Sequence, residues 1–277
     1  MTHELTLEEG TVRGWFSSDF EPVLSVEPGD SVRFQSLNAG WEWEPREQLF
    51  PRGDGGHALN GPIEVRGARA GQTLVVRVDE VTPRPWGLTI ADDEPFWWEL
   101  EDDTWRLGKH AVRSAPFLGV IGMPPPDVGK HSTIPPRRWG GNIDCKLLTA
   151  GSTLYLPVPV DGALLLAGDG HGAQGDGEVS GTAIECPLEA AQLTLDLRDD
   201  LDLRMPVARV ADAWLAFGFD EDLDVAADIA LQTMLDLMER ELGVPRREAL
   251  AVASVSVDLH VTQVVNEVKG VHAILRA

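Results

Sequence analysis

One segment of the chain combines metal-binding residue types with an unusual density of glycine. Seven glycines lie between residues 161 and 181, and the polar side chains interleaved with them are Asp169, His171, Gln174, Asp176 and Glu178. Glycine lets backbone and side chains converge closely, at an entropic cost that a purely structural loop has little reason to carry. An imidazole with several carboxylates is the ligand set expected for zinc or another divalent hydrolytic ion. The segment therefore predicts a metal site, with Asp144, behind its own double-glycine bend, as a further carboxylate.

A hydrolytic metal site needs three protein ligands, an open position for water and a proton acceptor. The ion lowers the pKa of water to about 7, and a carboxylate outside the ligand set passes the proton to the leaving amine. Spacing alone leaves Glu178 and Asp176 as equal candidates for that carboxylate. In an extended strand Asp169 and His171 lie on one face, which suits ligation and a surface pair equally. A Gly-Asp-Gly run is also common in turns that hold a structural ion or none.

Cys145, followed by Lys146, is a second candidate nucleophile, because a cysteine with a lowered pKa can cleave amides. The alternative interpretation is a small buried side chain next to Asp144. The chain contains no Gly-x-Ser-x-Gly pattern, so a serine mechanism of the α/β-hydrolase type is not supported. Water is the simplest nucleophile.

The elements that must position these residues are strands in the first two thirds of the chain. Short β-rich runs recur between glycine and proline turns. One pattern, a turn ending in glycine followed by an alternating strand, occurs three times, at residues 28–34, 70–76 and 150–156. We interpret the three copies as the starts of hairpins in a jelly-roll-like or barrel-like β body.

The last third of the chain changes character. Alternation predicts a strand over 188–203, and a 3.6-residue period predicts a helix from Leu223 to Leu242, ended by Gly243. Pro245 opens a shorter helix to about Ala253, and strands follow over 257–265 and 271–275. The prediction is mainly β with an α+β C-terminal part, in which helices cover a small sheet. Residues 1–186 form the β-rich body and residues 187–277 a subdomain packed against it.

Composition narrows the classes of partner. Acidic residues outnumber basic ones by 45 to 23, for a net charge of −22, which disfavours nucleic acid and anionic membranes as partners. Two cysteines cannot build a disulfide framework, and neither a signal peptide nor a membrane-spanning apolar run is recognisable. No nucleotide-binding glycine motif appears. We therefore expect a cytoplasmic globular protein.

Three runs in the centre of the chain resemble one known family. They are Gly-Gly-Asn-Ile-Asp at 140–144, Gly-Ser-Thr-Leu-Tyr-Leu-Pro-Val at 151–158, and Gly-Asp-Gly-His-Gly-Ala-Gln-Gly-Asp-Gly-Glu at 168–178. Together with flanking pieces at 28–30, 61–68 and 119–122, in the same order, they are similar to the acetamidase/formamidase family. The resemblance implies a β-rich enzyme that hydrolyses formamide and acetamide to ammonia and the carboxylate. It also implies a bound divalent metal, for which zinc is the first choice and calcium the second.

Carried over residue by residue, the resemblance implies a role for each polar side chain. Asp144, Asp169 and His171 are the implied metal ligands, and Glu178, which ends the Gly-Asp-Gly-Glu turn, is the implied general base ahead of Asp176. Three residues are expected to bind substrate: Asn142, Gln174 and His57. His57 has the alternative of an exposed loop histidine. The loop over 38–45 departs from the family pattern, and it either reshapes the pocket or lies on its rim.

The expected substrate is a small neutral amide, and the expected assembly is a homo-oligomer. One alternative is a hydrolase of another C–N bond, in a cyclic imide or a longer amide. A second is a non-catalytic β module that binds a carbohydrate or a partner through exposed tryptophans, with a structural calcium in the acidic loop. Calcium prefers six to eight oxygen ligands, so a ligating His171 favours zinc and the enzyme.

Overall fold

The computed structural model describes residues 1–52 and 55–276. Within those ranges the helical elements are a 3₁₀ turn (Glu9–Thr11), α1 (Leu223–Leu242) and α2 (Arg246–Ser256). The strands, in chain order, are β1 (Thr2–Leu5), β2 (Val12–Arg13), β3 (Leu24–Val26), β4 (Ser31–Ser36), β5 (Glu42–Glu44), β6 (Glu47–Gln48), β7 (Leu59–Val65), β8 (Thr73–Pro83), β9 (Trp86–Ala91), β10 (Glu94–Glu101), β11 (Thr104–Leu107), β12 (His110–Arg113), β13 (Phe117–Gly122), β14 (Gly140–Asn142), β15 (Thr153–Pro157), β16 (Leu165–His171), β17 (Leu188–Arg198), β18 (Val207–Val210), β19 (Ala213–Asp220), β20 (Val257–Gln263) and β21 (Lys269–Arg276).

Two large sheets organise these strands. A nine-stranded sheet has the order β1-β4-β17-β8-β15-β18-β19-β21-β20, and a six-stranded sheet has the order β14-β13-β16-β7-β2, with β3 beside β7, all counted within the described ranges. The smaller sheets are β12-β11-β10-β9 and the β5-β6 pair. The main core combines side chains of the nine-stranded sheet, such as Val76 and Leu193, with side chains of the six-stranded sheet, such as Leu118 and Leu165. The predicted β-rich architecture is confirmed.

The three turn-and-strand repeats do begin strands, but they do not begin hairpins. The strands that follow the turns, β4, β8 and β15, all lie in the nine-stranded sheet, whereas the strands before them, β3, β7 and β14, lie in the six-stranded sheet. The hairpin interpretation is therefore wrong. Each glycine turn carries the chain from one sheet to the other, because a strand with one apolar face has to bury that face against a facing sheet.

Helix α1 has the predicted bounds, and both of its ends have an identifiable cap. The Asp222 carboxylate accepts hydrogen bonds from the backbone N–H groups of residues 224 and 225, and Gly243 ends the helix in the left-handed region at φ 65°. The face with Ala226, Ala230 and Met234 is buried in a cluster that includes Ala216 of β19 and Val271 of β21. Helix α2 begins directly after Pro245 and runs to Ser256, three residues beyond the predicted end.

The C-terminal strands continue the large sheet. Strand β17 ends at Arg198 rather than at residue 203, and it lies between β4 and β8 in the nine-stranded sheet. Strands β18 to β21 extend the same sheet beyond β15, so the small sheet under the helices is the end of a larger one. The division between residues 1–186 and 187–277 stays a prediction. No helix in the described part of the chain has the length and apolar character needed to cross a membrane.

Candidate active site

A cavity of about 540 Å³ has a floor of buried ionisable side chains. Five ionisable residues of the lining are at most 6% exposed, and they comprise four carboxyl groups around one imidazole: Asp144, Asp169, His171, Glu178 and Glu185. Burying a charged group is costly unless it is paired or coordinates a metal. A cluster of this composition therefore points to a functional site.

Strand β16 supplies the centre of the cluster. Every residue of β16 is buried, and the strand lies between β13 and β7 in the six-stranded sheet. Asp169 and His171 are two residues apart and face the same side, with 3.3 Å between Asp169 Oδ2 and His171 Nε2. The Phe117 ring, directly across the strand pair, meets the imidazole edge-on at a centroid distance of 4.9 Å. The pair is thus part of the buried sheet and is not a surface pair.

Glu185 completes the cluster, although the sequence analysis did not select it. The segment around Glu185 pairs with the end of β16 through an isolated bridge to His171. Its Oε1 accepts a hydrogen bond from the Ala183 N–H at 2.9 Å, and its Oε2 lies 3.4 Å from His171 Nε2. The sequence gives no distinctive signal for it, because a carboxylate between the apolar residues Ile184 and Cys186 has the ordinary alternation of a half-exposed strand.

Asp144 and Glu178 face the other side of the imidazole. Asp144 Oδ1 lies 3.9 Å from His171 Nδ1, and Asp144 Oδ2 accepts a hydrogen bond from Asn266 Nδ2 at 2.5 Å. Three acidic residues of the cluster have positive φ, at 51° for Asp144, 62° for Asp169 and 46° for Glu178. This region is uncommon for residues other than glycine, and such strain concentrates at functional sites.

A hydrogen-bond chain orients the imidazole. His171 Nδ1 lies 3.0 Å from Gln174 Oε1, and Gln174 Nε2 donates to the Asp144 backbone carbonyl at 2.8 Å. Because Gln174 Oε1 can only accept, Nδ1 must carry the proton in this contact. In the neutral imidazole the lone pair is then on Nε2, the atom that faces Asp169 and Glu185. This pattern is the one by which proteins fix a metal-ligating histidine.

The environment of the site shifts the pKa values of its titratable groups in opposite directions. Burial, with the nearby Glu178, raises the pKa of Asp144 well above its usual range. Burial also raises the pKa of Glu178 to about 7, and it raises the pKa of Glu185 as well. Burial alone would raise the pKa of Asp169, but His171 and His57, together with the hydrogen bonds to His171 and Glu185, outweigh it and hold that pKa below its usual range. Burial opposes the charged form of His171, yet Glu185 and Asp169 raise its pKa well above the usual value.

The cluster has the donor atoms that a divalent cation needs. Asp144 Oδ1, Asp169 Oδ1, Glu178 Oε2 and Glu185 Oε2 are buried without a hydrogen-bond partner among the described residues. An unpaired buried polar group costs about 1–3 kcal/mol, and more when it is charged. Two sets of three residues have ligand atoms within 4.8 Å of one another, and they share His171: one adds Asp144 and Glu178, the other Asp169 and Glu185. The buried carboxylate and imidazole groups therefore fit a metal ion.

The structure brings most of the other predicted residues to the cavity. Asn142 is buried in the cavity wall, and its Oδ1 has no partner among the described residues. His57 also lines the cavity, and its backbone N–H and its Nδ1 lie 2.9 and 2.8 Å from Thr133 Oγ1, so it is not an exposed loop histidine. The loop that departs from the family pattern contributes Asn38 and Glu42 to the cavity lining.

Asp176 and Cys145 are not brought to the site. The Asp176 carboxylate lies 3.0 Å from Lys146 Nζ and 3.3 Å from His260 Nδ1, and it does not line the cavity. The turn that points Glu178 inward thus points Asp176 toward Lys146 and His260, and we leave Asp176 out of the catalytic set. Burial raises the pKa of the Cys145 thiol to about 12, which agrees with the small buried side chain rather than the nucleophile.

Proteins similar to this chain in sequence and in fold are named acetamidases or formamidases. Residues 126–275, more than half of the chain, match the Acetamidase/Formamidase family. A formamidase from Methylophilus methylotrophus is 54% identical, over 62% of this chain and 60% of that protein. The chain spans between 12% and 60% of the length of the curated relatives it matches.

Solved structures extend the similarity to the whole fold. The acetamidase from Bacillus halodurans has a TM-score of 0.89 at 26% identity, with 99% of this chain and 97% of that chain covered. A recombinant predicted acetamidase/formamidase from Thermoanaerobacter tengcongensis has a TM-score of 0.90 at 25% identity, with 100% and 96% covered.

Proposed function

Because the chain belongs to the acetamidase/formamidase family, we propose that it is an amidase that hydrolyses short aliphatic amides, including formamide and acetamide. The products are ammonia and the carboxylate. The observation that carries the proposal is the cavity floor, where four carboxyl groups with unpaired oxygens surround one oriented imidazole. Water is the nucleophile, because the Cys145 thiol is buried with a raised pKa.

Asp169, His171 and Glu185 are the residues that we assign to a divalent cation, with zinc as the first choice. Their ligand atoms lie within 4.8 Å of one another, and the imidazole directs Nε2 to the two carboxylates. This set replaces Asp144 by Glu185 in the ligand set expected from the sequence. When bound, the ion would polarise the amide carbonyl and make a water molecule more acidic.

Glu178 is the group that we assign to proton transfer. Its side chain is buried at the cavity, and its Oε2 has no partner among the described residues. The carboxylate accepts one proton from the attacking water as the C–O bond forms. It returns that proton to the amide nitrogen as the C–N bond breaks, and ammonia leaves. A general base works best with a pKa near the working pH, and burial raises the pKa of Glu178 to about 7.

The remaining polar groups orient the substrate and the cluster. Asn142 Oδ1 is an unpaired acceptor in the wall, suited to an N–H of the substrate amide. Gln174 holds His171, and Asn266 holds Asp144 through Asp144 Oδ2. Asp144, with its raised pKa, can stay protonated and donate a hydrogen bond toward Glu178. His57 remains a candidate substrate contact at the cavity wall.

The experiment that tests this proposal is ammonia release from formamide and acetamide by the wild-type protein and by Glu178→Gln. We expect kcat of the variant to fall by about 10²–10⁴-fold, with metal content unchanged. Glu189→Gln, which changes an exposed glutamate paired with Arg84, is the matched control. Chelation should abolish wild-type activity, and added zinc should restore it. Full activity in Glu178→Gln would remove Glu178 from the mechanism.

We also propose that the chain works in the cytoplasm. Cys145 and Cys186 are both buried free thiols. Reducing compartments keep thiols in this form. Fractionation of the source cells, with amidase activity followed in each fraction, tests the location.

A homo-oligomer is proposed as the working assembly. Helix α2 and the strand after it leave apolar side chains at the surface, with Val255 at 87% and Leu259 at 49% exposure. We interpret these exposed apolar side chains as part of the contact between subunits. Light scattering coupled to size-exclusion chromatography measures the assembly directly.

A further inference from the structure

The cavity is larger than formamide or acetamide requires. Its volume is about 540 Å³. Acetamide has only four heavy atoms. Volumes of about 300–1,000 Å³ are typical of sites for much larger ligands. Most of the cavity would stay filled with water if acetamide were the preferred substrate.

One side of the cavity is apolar and is formed by a single hairpin. Leu88 and Ile90 point to the same face of β9, and they pair directly across the hairpin with Trp97 and Pro95 of β10. These four side chains, which we call the apolar wall, all line the cavity. Directly opposed cross-strand pairs form a contiguous surface. The wall is thus one continuous patch.

The apolar wall begins beside the proposed catalytic groups. The Leu88 N–H donates to the Glu185 carbonyl at 3.0 Å, and the Glu185 N–H donates to the Leu88 carbonyl at 2.8 Å. From Leu88 the wall extends two residues along β9 to Ile90, a distance of about 7 Å. The Ile90 N–H donates to Thr182 Oγ1 at 2.9 Å, which fixes this end to the segment that leads to Glu185.

The far part of the wall is exposed to the cavity rather than packed in the core. Ile90 is 38% exposed. The Arg46 guanidinium lies over the Trp97 ring at 5.1 Å and borders the wall on the side of the β5–β6 hairpin. Apolar surface that is contiguous, rimmed by polar groups and joined to a polar floor is typical of a ligand-binding groove.

We propose that the apolar wall receives the acyl chain of the substrate and selects primary amides with an unbranched apolar acyl chain of about four to six carbons. This inference rests on the amide hydrolysis proposed above. The amide group lies on the polar floor, and the chain runs from Glu185 along Leu88 toward Ile90. The acyl chain then displaces water from the wall that a shorter amide would leave in place, so binding energy increases with chain length.

The test is a series of straight-chain primary amides from acetamide to hexanamide, measured as kcat/KM by ammonia release. Each methylene placed on the wall should raise kcat/KM by about fourfold. A constant value, or a decrease beyond acetamide, would overturn the inference and leave amide hydrolysis itself intact.

Two variants assign the effect to the wall. In Ile90→Thr, a change that keeps a β-branched residue in the strand, the gain per methylene beyond butyramide should fall to about twofold or less. Val112→Thr is the matched control, because Val112 is 42% exposed in β12 of the same four-stranded sheet and does not line the cavity. Ile90→Asn, with its folding checked by thermal unfolding, is a second variant in which the gain in kcat/KM per methylene is measured at the same position.

A binding measurement separates failure of the inference from failure of the proposed function. Titration calorimetry of the same amides against Glu178→Gln reports the dissociation constant without turnover. A fourfold gain per methylene supports the wall even if no amide is hydrolysed. An equal dissociation constant for acetamide and hexanamide overturns it, as does an unchanged gain in Ile90→Thr.

Discussion

Gly119 is the position at which a single methyl group should disable the site. It lies in β13, opposite the cluster, and a Cβ added to it would lie 2.5 Å from Asp169 Oδ2 and 2.7 Å from Asp144 Oδ1. It would also lie 2.7 Å from His171 Cε1. Favourable contacts between heavy atoms are about 3.5–4.0 Å, so each of these groups must move by about 1 Å in Gly119→Ala.

The size of the effect follows from these distances. Extra methyl groups in a packed site cost about 1–3 kcal/mol of stability, so the variant should fold with a lowered melting temperature. A misplacement of about 1 Å in a catalytic constellation costs about 10²-fold in rate. Gly119 is not among the glycines with positive φ, so the loss would come from the contact and not from backbone strain. We expect amide hydrolysis to fall at least 10²-fold and zinc content to fall with it.

Gly175→Ala is the matched control for this experiment. Gly175 lies in the turn between Gln174 and Asp176, its φ is not positive, and a Cβ added there meets nothing within 4 Å. A surface change of this kind alters stability by about 0.5 kcal/mol at most, and activity should stay at the wild-type level. The assays are ammonia release, metal analysis and thermal unfolding of both variants. Wild-type activity and metal content in Gly119→Ala would refute the assigned geometry of the cluster.

Three further predictions concern groups around the site. Burial lowers the pKa of His272 from 6.5 to about 4, so the unfolded chain binds a proton at this residue at a higher pH than the folded protein does. The free energy of unfolding, measured with urea, should therefore be about 2–3 kcal/mol lower at pH 4.5 than at pH 7 because of this group. This loss should be absent in His272→Gln. Asp176→Asn should lower kcat about tenfold with KM unchanged, because the ion pair between Asp176 and Lys146 supports the turn that carries Glu178. Steady-state kinetics measure both constants, and an unchanged kcat would contradict this prediction. Cys145→Ala should keep wild-type ammonia release, since its pKa of about 12 leaves little thiolate at neutral pH; loss of activity in a folded variant would reopen the cysteine mechanism.

Local patterns in the sequence were sufficient where neighbours along the chain determine the structure. The 3.6-residue period and the glycine stop predicted helix α1 with its observed bounds, because a helix and its caps are built from residues a few positions apart. The alternation around Asp169 and His171 likewise placed both side chains on one face of a strand. These are short-range consequences of backbone geometry.

Long-range pairing decided which side chains meet. Asn266 donates a hydrogen bond to Asp144, which is 122 residues earlier in the chain, and the nearby Gln263 forms a β-bridge with Gly177. No pattern of spacing along the sequence predicts that contact. The hairpin interpretation failed for the same reason: a glycine turn has the same local signal whether the next strand pairs with the previous strand or crosses to the facing sheet.

Residue types and order determined the β-rich class, the family resemblance and most of the polar side chains around the cavity. The resemblance ranked Glu178 ahead of Asp176, and the tertiary structure supplies the physical reason: Glu178 lines the cavity, whereas the Asp176 carboxylate pairs with Lys146. Only the tertiary structure added Glu185 to the cluster, and only it placed four apolar side chains beside a polar floor. The physical reason is that composition and spacing specify which groups are available, whereas sheet pairing and burial specify which of them share one cavity and lose water together.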